Sequence, residues 1–273
     1  MSRLLRQFIA IETLRVLAED ANMEQKRSIA FRNLERWRRN STLQLSRLKV
    51  EIASEDWGVV ALRMTKRYGV CFAVLNMANS VYPGGGYIQG CSAQEENMFR
   101  RTDCHFTLQD SIVESETGKY REEFTDLLNA TTGRVYIDTI QPRICVRGPE
   151  RPHSPTLGYD WLPNDEIFPF YELRASAQDC RGESIFNPDE ARKRIEAQLD
   201  TLIENRIRYV VLSAFGCGAF LNPASEVASI YYKAISKREE SFDLIVFAIH
   251  YAGYGPDNFT PFMNAFKSNK QYT

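Results

Sequence analysis

The sequence predicts an α/β protein, a three-layer α/β/α sandwich on a mixed, largely parallel sheet with helices at its N-terminus. Apolar strand-like runs alternate with helical segments along most of the chain, which is typical of parallel sheets. Runs such as 70–78 are apolar over almost their full length, as expected for strands buried on both faces. The 273 residues include 44% hydrophobic residues, enough for one domain with a sizeable core.

One domain is predicted over residues 1–273, divided into a helical extension (1–47) and an α/β core (48–273). Residues 3–45 are rich in Leu, Arg, Glu and Gln and are predicted to be helical throughout. We expect this segment to form a helical cap on the core.

The core begins with an alternating strand over 48–53. A helix follows, with Ser54 predicted as its N-cap and Gly69 as its C-terminal stop. The apolar run 70–78 then supplies the first strand that we expect to be fully buried.

The second half of the chain repeats this alternation. Asn187 followed by Pro188 predicts a helix start, which leads to a strand over 209–215. A second Asn-Pro pair at Asn222 predicts another helix, and 242–251 supplies a further strand. The C-terminal tail is predicted to be a short helix.

The segment from 142 to 169 contains six of the eleven prolines and shows little periodicity. It predicts an extended loop over one edge of the domain. The sequence leaves open whether this loop is a lid or an irregular surface connection.

Composition excludes several classes of protein. A formal charge of −1 gives no general attraction to nucleic acid or to an anionic membrane. The six cysteines form no C-x-x-C pair and the three histidines no ligand pair, so neither a disulfide framework nor a metal site is expected. Charged residues interrupt the N-terminal apolar run, and no run is long enough to span a bilayer, so a cytoplasmic location is expected.

Two glycine-bearing turns follow apolar strands. Gly84, Gly85 and Gly86 follow the strand at 70–78, and the motif AFGCGAF (214–220) follows the strand at 209–215. Ligands of parallel sheets collect beyond the carboxyl ends of the strands, and glycines let backbone N–H groups approach an anion. Together the two loops favour a phosphate-bearing ligand, and neither matches a Walker or dinucleotide-binding motif.

The triplet Gln94-Glu95-Glu96 lies close to the first glycine loop. Ser92 and Glu95 have capping-box spacing, which predicts a helix with Ser92 as its N-cap. If Glu95 is held at the helix start or by a sugar hydroxyl, Glu96 is the acid free for chemistry. The residues alone leave a second interpretation open, in which both glutamates are ordinary first-turn acids stabilised by the helix dipole.

The stretch NMANSVYPGGG followed by QEE resembles the signature of the microbial-type branch of the poly(ADP-ribose) glycohydrolases, a macrodomain family. The motif LSAFGCGAFLNP is similar to the second diphosphate loop of that family and occurs in the expected order. RQFIAIETLRVL and FAIHYAGYGPDNFTPF, near the two termini, extend the resemblance over nearly the whole chain. The fold implied is macrodomain-like.

The resemblance also implies roles for individual residues. Glu96 is expected to be the catalytic acid/base, with Glu95 positioning the ribose beside the scissile bond. The expected substrate-binding residues are Asn79, Gly84, Gly85, Gly86, Gln94, Phe215, Gly216, Cys217, Gly218, Ala219 and Phe220. Cys217 is interpreted as a small loop residue and not as a nucleophile. For the adenine we name three weaker candidates, Asp56, Tyr251 and Tyr254.

The activity implied is removal of ADP-ribose, as polymer or single unit, from modified proteins by cleavage at C1″ without a metal or cofactor. The expected partners are ADP-ribose and ADP-ribosylated protein or poly(ADP-ribose), with no sequence-specific nucleic acid and no membrane. The main alternative is a macrodomain that binds ADP-ribose without catalysis. A third is an enzyme acting on free ADP-ribose derivatives. The oligomeric state is left open.

Overall fold

A computed structural model describes residues 2–42, 45–251 and 255–267. Its helices are α1 (Ser2–Leu17), α2 (Asp20–Asn40), α3 (Trp57–Tyr68), α4 (Gln94–Arg101), α5 (Glu122–Leu128), α6 (Pro188–Glu204), α7 (Ala224–Ser236) and α8 (Phe259–Lys267). Its strands are β1 (Lys49–Ala53), β2 (Ala73–Met77), β3 (Tyr136–Ile137), β4 (Arg143–Cys145), β5 (Phe168–Ala175), β6 (Tyr209–Leu212) and β7 (Leu244–Ala248).

The strands form one sheet in the order β1-β7-β6-β2-β5-β3, with β4 also pairing with β5. Neighbouring strands are parallel from β1 through β7, β6 and β2 to β5, whereas β3 and β4 run antiparallel to β5. The predicted mixed, largely parallel sheet is therefore confirmed. Because β2, β6 and β7 run in the same direction, the segments that follow them meet at one edge of the sheet.

Alternating side chains of the strands face two separate cores, which accounts for their unbroken apolar runs. On one face, Leu75 and Phe247 pack with residues of α6, α7 and α8. On the other face, Val74 and Val246 pack with residues of α3 and α4. Helices therefore cover both faces of the sheet, as the predicted three-layer sandwich requires.

The N-terminal extension consists of two helices and not one continuous helix. The chain leaves the helical conformation at Glu19, where φ is −79° and ψ is 113°. The Asn22 side chain donates to the carbonyl of Val16 at 3.2 Å and so satisfies one of the free acceptors at the end of α1. Trp37 of α2 is buried in the core shared with α3, so the extension packs on the α/β core as expected.

The start of α3 corrects the predicted cap. Asp56, and not Ser54, is the N-cap, and its Oδ1 accepts from the N–H groups of Gly58 and Val59 at 2.9 and 3.2 Å. Asp56 also pairs with the buried Arg101, a contact that local spacing does not encode. The predicted end of this helix at Gly69 is confirmed, with φ at +65°.

Two starts were predicted at Asn-Pro pairs, and only one is confirmed. The Asn187 side chain caps α6 by accepting from the backbone of Asp189 and Glu190. Helix α7 instead has Pro223 as its N-cap residue. Asn222 donates its amide to the carbonyl of Gln178 at 2.7 Å, because a tertiary contact competes with the cap.

The segment 142–169 carries β4 and then follows the N-terminal helices closely. Arg147 is buried and donates to Thr13 Oγ1 and to the carbonyl of Tyr159, each at 2.7 Å. Asn33 of α2 donates to the carbonyl of Ile167 at 2.8 Å. The segment therefore joins the extension to the core. Among the residues that the structure describes, no helix has the length and apolar character needed to cross a membrane.

Candidate active site

The first glycine loop connects β2 to α4, and Glu95 holds it closed. Glu95 Oε2 accepts from the N–H of Asn79 at 2.7 Å, and Oε1 accepts from the N–H of Gly84 at 3.0 Å. The side chain is almost fully buried, and this burial raises the pKa of Glu95 well above its usual range. The hydrogen bond from Asn79 and the positive charge of Arg174 oppose that rise.

Glu96 is half-buried and lies on the cavity side of the same loop. Its Oε1 accepts from the N–H of Gly86 at 3.1 Å. Gly85 has φ +55°, and a Cβ at this position would lie 2.6 Å from Glu96 Oε1. Only glycine therefore allows the backbone to approach this carboxylate so closely.

Helix α4 begins differently from the predicted capping box. Its N-cap residue is Ala93, which makes no side-chain cap, and Ser92 caps nothing. Gln94 accepts from the N–H of Met77 at 2.9 Å and donates to the carbonyl of Leu75 at 2.7 Å. The start of the helix is therefore fixed by contacts with β2 and the loop, which replace local capping.

The second glycine loop follows β6 and lies on the opposite side of the cavity. Gly216 has φ +75°, and a Cβ there would lie 2.5 Å from the Cβ of Ala177. Its carbonyl accepts from the N–H of Asn222 at 3.0 Å, which closes the loop. A Cβ at Gly218 would meet no atom within 4 Å, so this part of the loop is open.

A cavity of about 940 Å³ lies between the two loops. Ten of the predicted site residues line it: Asn79, Gly85, Gly86, Gln94, Glu95, Glu96, Gly216, Gly218, Ala219 and Phe220. Gly84, Phe215 and Cys217 do not line it. Gly84 lies against the ring of Phe99, and Phe215 and Cys217 are buried in the core. This volume lies within the range of sites for small molecules and cofactors.

Cys217 is a poor candidate for a nucleophile. Burial raises the pKa of its thiol to about 12, so the thiolate is not available at neutral pH. Its position among the core side chains agrees with its interpretation as a small loop residue.

The candidates for the adenine are described only in part. Asp56 and Tyr251 line the cavity, whereas Tyr254 lies outside the described residues. Both carboxylate oxygens of Asp56 accept from Arg101 Nη1, at 2.8 and 3.0 Å. Asp56 therefore serves as both a helix cap and an ion-pair partner at the edge of the cavity.

The residues of the cavity wall that were not predicted from the sequence include Arg6, Glu150, Pro152 and Arg181. Arg6 of α1 pairs with Glu150 at 2.7 Å, and the guanidinium of Arg181 lies 5.1 Å from the centroid of the Phe220 ring. These residues come from the extension and from two connecting segments, so no local motif marks them. Only the order of the elements in space brings them together.

Two closed glycine loops face each other across the carboxyl edge of the parallel part of the sheet, and paired carboxylates lie on one side. This arrangement defines a macrodomain-like α/β protein. Residues 10–132 match the model of a family described as microbial-type PARG, catalytic domain. The matched part includes the first glycine loop and the Gln94-Glu95-Glu96 triplet, so the resemblance noted in the sequence is confirmed. No curated protein matches the sequence.

Solved structures of bacterial poly(ADP-ribose) glycohydrolases have the same fold. The enzyme from Thermomonospora curvata is similar at 20% identity with a TM-score of 0.67, and the match covers 96% of this chain and 99% of that one. The enzyme from Deinococcus radiodurans in complex with ADP-ribose matches at 21% identity with a TM-score of 0.59, covering 90% and 92%. At these identities the comparisons establish the fold.

Proposed function

We propose that this protein is an ADP-ribosyl glycohydrolase in which Glu96 is the general acid and base. The observation that carries the proposal is the position of the Glu96 carboxylate. It faces the cavity and is held by the N–H of Gly86 at 3.1 Å. Two of the similar structures, the enzyme from Deinococcus radiodurans in complex with ADP-ribose and the enzyme from Thermomonospora curvata bound to the inhibitor ADP-HPD, support the choice of substrate.

We propose that the second loop supplies the backbone N–H groups that bind the diphosphate, because successive N–H groups around a residue with positive φ, such as Gly216, form a concave arrangement that binds anions. The N–H groups of Gly84, Gly85 and Gly86 in the first loop already donate to Glu95, Tyr82 and Glu96. The first loop therefore contributes close approach through its missing side chains. The distal ribose then lies at the end of the cavity that contains Glu96.

The proposed reaction breaks the bond between C1″ and the leaving oxygen through a transition state with oxocarbenium character. Glu96 donates its proton to the leaving oxygen, and the negative diphosphate stabilises the positive charge that develops on the ribose. The Glu96 carboxylate then removes a proton from water as the water oxygen attacks C1″. This proton returns Glu96 to its starting state, so one acid serves both steps.

Glu95 supports the reaction by holding the loop. Both of its oxygens accept backbone N–H bonds, so both are engaged in closing the loop. We propose that it fixes the position of the ribose by fixing Asn79 and the glycines after it. The oxygen of the Asn79 side chain accepts from Val81 and Tyr82, so its amide nitrogen is the group left to meet the ribose.

The test compares the wild type with Glu96→Gln on defined substrates carrying poly- or mono-ADP-ribose, measuring released ADP-ribose. Loss of the acid and base is expected to lower the rate by about 10²–10⁴-fold. Calorimetry is expected to show that both proteins still bind ADP-ribose. The control is Glu226→Gln, which removes another first-turn glutamate, exposed on α7 and outside the cavity.

Equal inactivity of both proteins on every linkage, with ADP-ribose binding intact, would instead identify a protein that binds ADP-ribose without catalysis. Cleavage within the diphosphate would identify an enzyme acting on free ADP-ribose derivatives. Product analysis of the same reactions distinguishes these outcomes.

A further inference from the structure

A second concave region lies outside the cavity that we assign to ADP-ribose. This basic groove has a volume of about 690 Å³ and runs between α3 and the segment 148–166. Its lining residues are Val59, Leu62, Arg63, Lys66, Arg67, Gly148, Pro149, Arg151, Asp160, Trp161, Leu162, Pro163 and Glu166. No part of the proposed mechanism uses it.

The charge of the groove favours an anionic ligand. Its lining includes four cationic and two acidic side chains. Arg63 pairs with Glu55, and Lys66 pairs with Glu166. The remaining two cations, Arg67 and Arg151, are exposed and have no acidic partner among the residues that the structure describes.

The groove also has an apolar and aromatic surface. The ring of Trp161 is only partly buried, and the guanidinium of Arg147 lies 3.8 Å from its centroid. Leu62 and Leu162 also line the groove. Cations beside a partly exposed aromatic ring are the combination that binds single-stranded nucleotide chains, in which phosphates alternate with stacking bases.

The groove and the active-site cavity share a wall. Four consecutive residues alternate between the two. Glu150 and Pro152 line the cavity, whereas Pro149 and Arg151 line the groove. A polymeric ligand that leaves the cavity across residues 149–152 therefore reaches the groove within a distance of a few residues.

We propose that the basic groove binds the continuing chain of poly(ADP-ribose) while its terminal unit occupies the cavity. This rests on the proposed function and extends it, because it makes the polymer the preferred substrate over a single ADP-ribose. Arg67 and Arg151 bind successive diphosphates, and Trp161 supplies a surface on which an adenine stacks. An acidic peptide would satisfy the cations and leave the aromatic surface unused.

The test uses Glu96→Gln as the parent protein, so that polymer binding is measured without hydrolysis. Free ADP-ribose at saturating concentration fills the cavity, and the remaining affinity for long poly(ADP-ribose) is measured by fluorescence anisotropy. The parent is expected to retain measurable binding, and adding Arg67→Glu and Arg151→Glu is expected to weaken it at least tenfold. The matched control adds Lys193→Glu and Lys233→Glu, exposed residues of α6 and α7 on the opposite face of the sheet.

In the active protein, Arg67→Glu with Arg151→Glu is expected to lower kcat/KM on long polymer and leave it within twofold on a single ADP-ribosyl substrate. The retained activity on the single ADP-ribosyl substrate also shows that the variant is folded. Unchanged polymer binding overturns the proposal, as does an equal loss in the control. Equal competition by single-stranded RNA overturns it in favour of a general nucleic-acid site. Failure of the wild type to hydrolyse any linkage would refute the proposed function and leave the binding result to stand alone.

Discussion

Replacing Gly85 by alanine is expected to slow the proposed hydrolysis about 100-fold. The new Cβ would lie 2.6 Å from Glu96 Oε1, and ordinary contact begins at 3.4 Å, so the carboxylate must retreat by about 0.8 Å. A displacement near 1 Å of a group at the reacting centre costs roughly 10²-fold in rate. The assay is kcat on a defined ADP-ribosylated substrate, with the affinity for ADP-ribose measured beside it.

Alanine at this position also strains the backbone, because Gly85 has φ +55°. The cost is about 1–2 kcal/mol, which corresponds to a fall in Tm of roughly 2–8 °C. Gly118→Ala is the matched control, since Gly118 has φ +67° and a Cβ there would meet nothing within 4 Å. We expect both variants to lose stability and only Gly85→Ala to lose activity. A Gly85→Ala enzyme with kcat within threefold of the wild type would refute the role assigned to the close approach.

Two further predictions concern stability. Asp56→Asn keeps a good helix cap but leaves the buried Arg101 without its anionic partner. We expect it to lower the free energy of unfolding, measured by urea titration, by roughly 3 kcal/mol. A change below 1 kcal/mol would contradict the ion-pair account. Burial acts to raise the pKa of Glu172, but Arg174 and Arg143 outweigh it and lower that pKa to about 2. The ionised Glu172 carboxylate therefore contributes roughly 3 kcal/mol to the free energy of unfolding. This contribution is complete above pH 4.5 and is lost as the pH falls from 4.5 towards 2. Glu172→Gln is expected to flatten the stability profile in that window, and an unchanged profile would count against the assignment.

Local signals in the sequence predicted those elements whose causes are local. The cap at Asn187 and the stop at Gly69 are properties of a few adjacent residues, and both are confirmed. The caps predicted at Ser54 and Ser92 are wrong. Asp56 and Gln94 fix these helix starts instead, and both form hydrogen bonds with residues that are distant in the sequence. Spacing rules do not register such partners.

Strand β5 shows the same limitation in the core. It lies between β2 and β3 in the sheet, yet it was not predicted as a strand, since Glu172 and Arg174 interrupt its apolar pattern. Both side chains are fully buried and satisfy each other, with Asn76 donating to the carboxylate at 2.7 Å. In a sequence, the charged residues of a buried ion pair resemble exposed residues, because the partners that allow their burial are not visible there.

The site was predictable from the sequence to the extent that it consists of the two glycine loops and the acidic triplet. The wall formed by Arg6, Glu150 and Arg181 was not, because it depends on how the extension and the connecting segments pack. The half of the cavity formed by the glycine loops is therefore encoded in short motifs, and the half formed by these other side chains is encoded in tertiary structure.

The bonds from Glu95 to Asn79 and Gly84 have an entropic consequence. They close a short stretch of backbone with a single side chain. Each residue of that stretch has already given up its conformational freedom during folding, at a cost of about 1–2 kcal/mol per residue. A ligand entering the cavity need not order this stretch again, so more of its contact energy remains available as affinity.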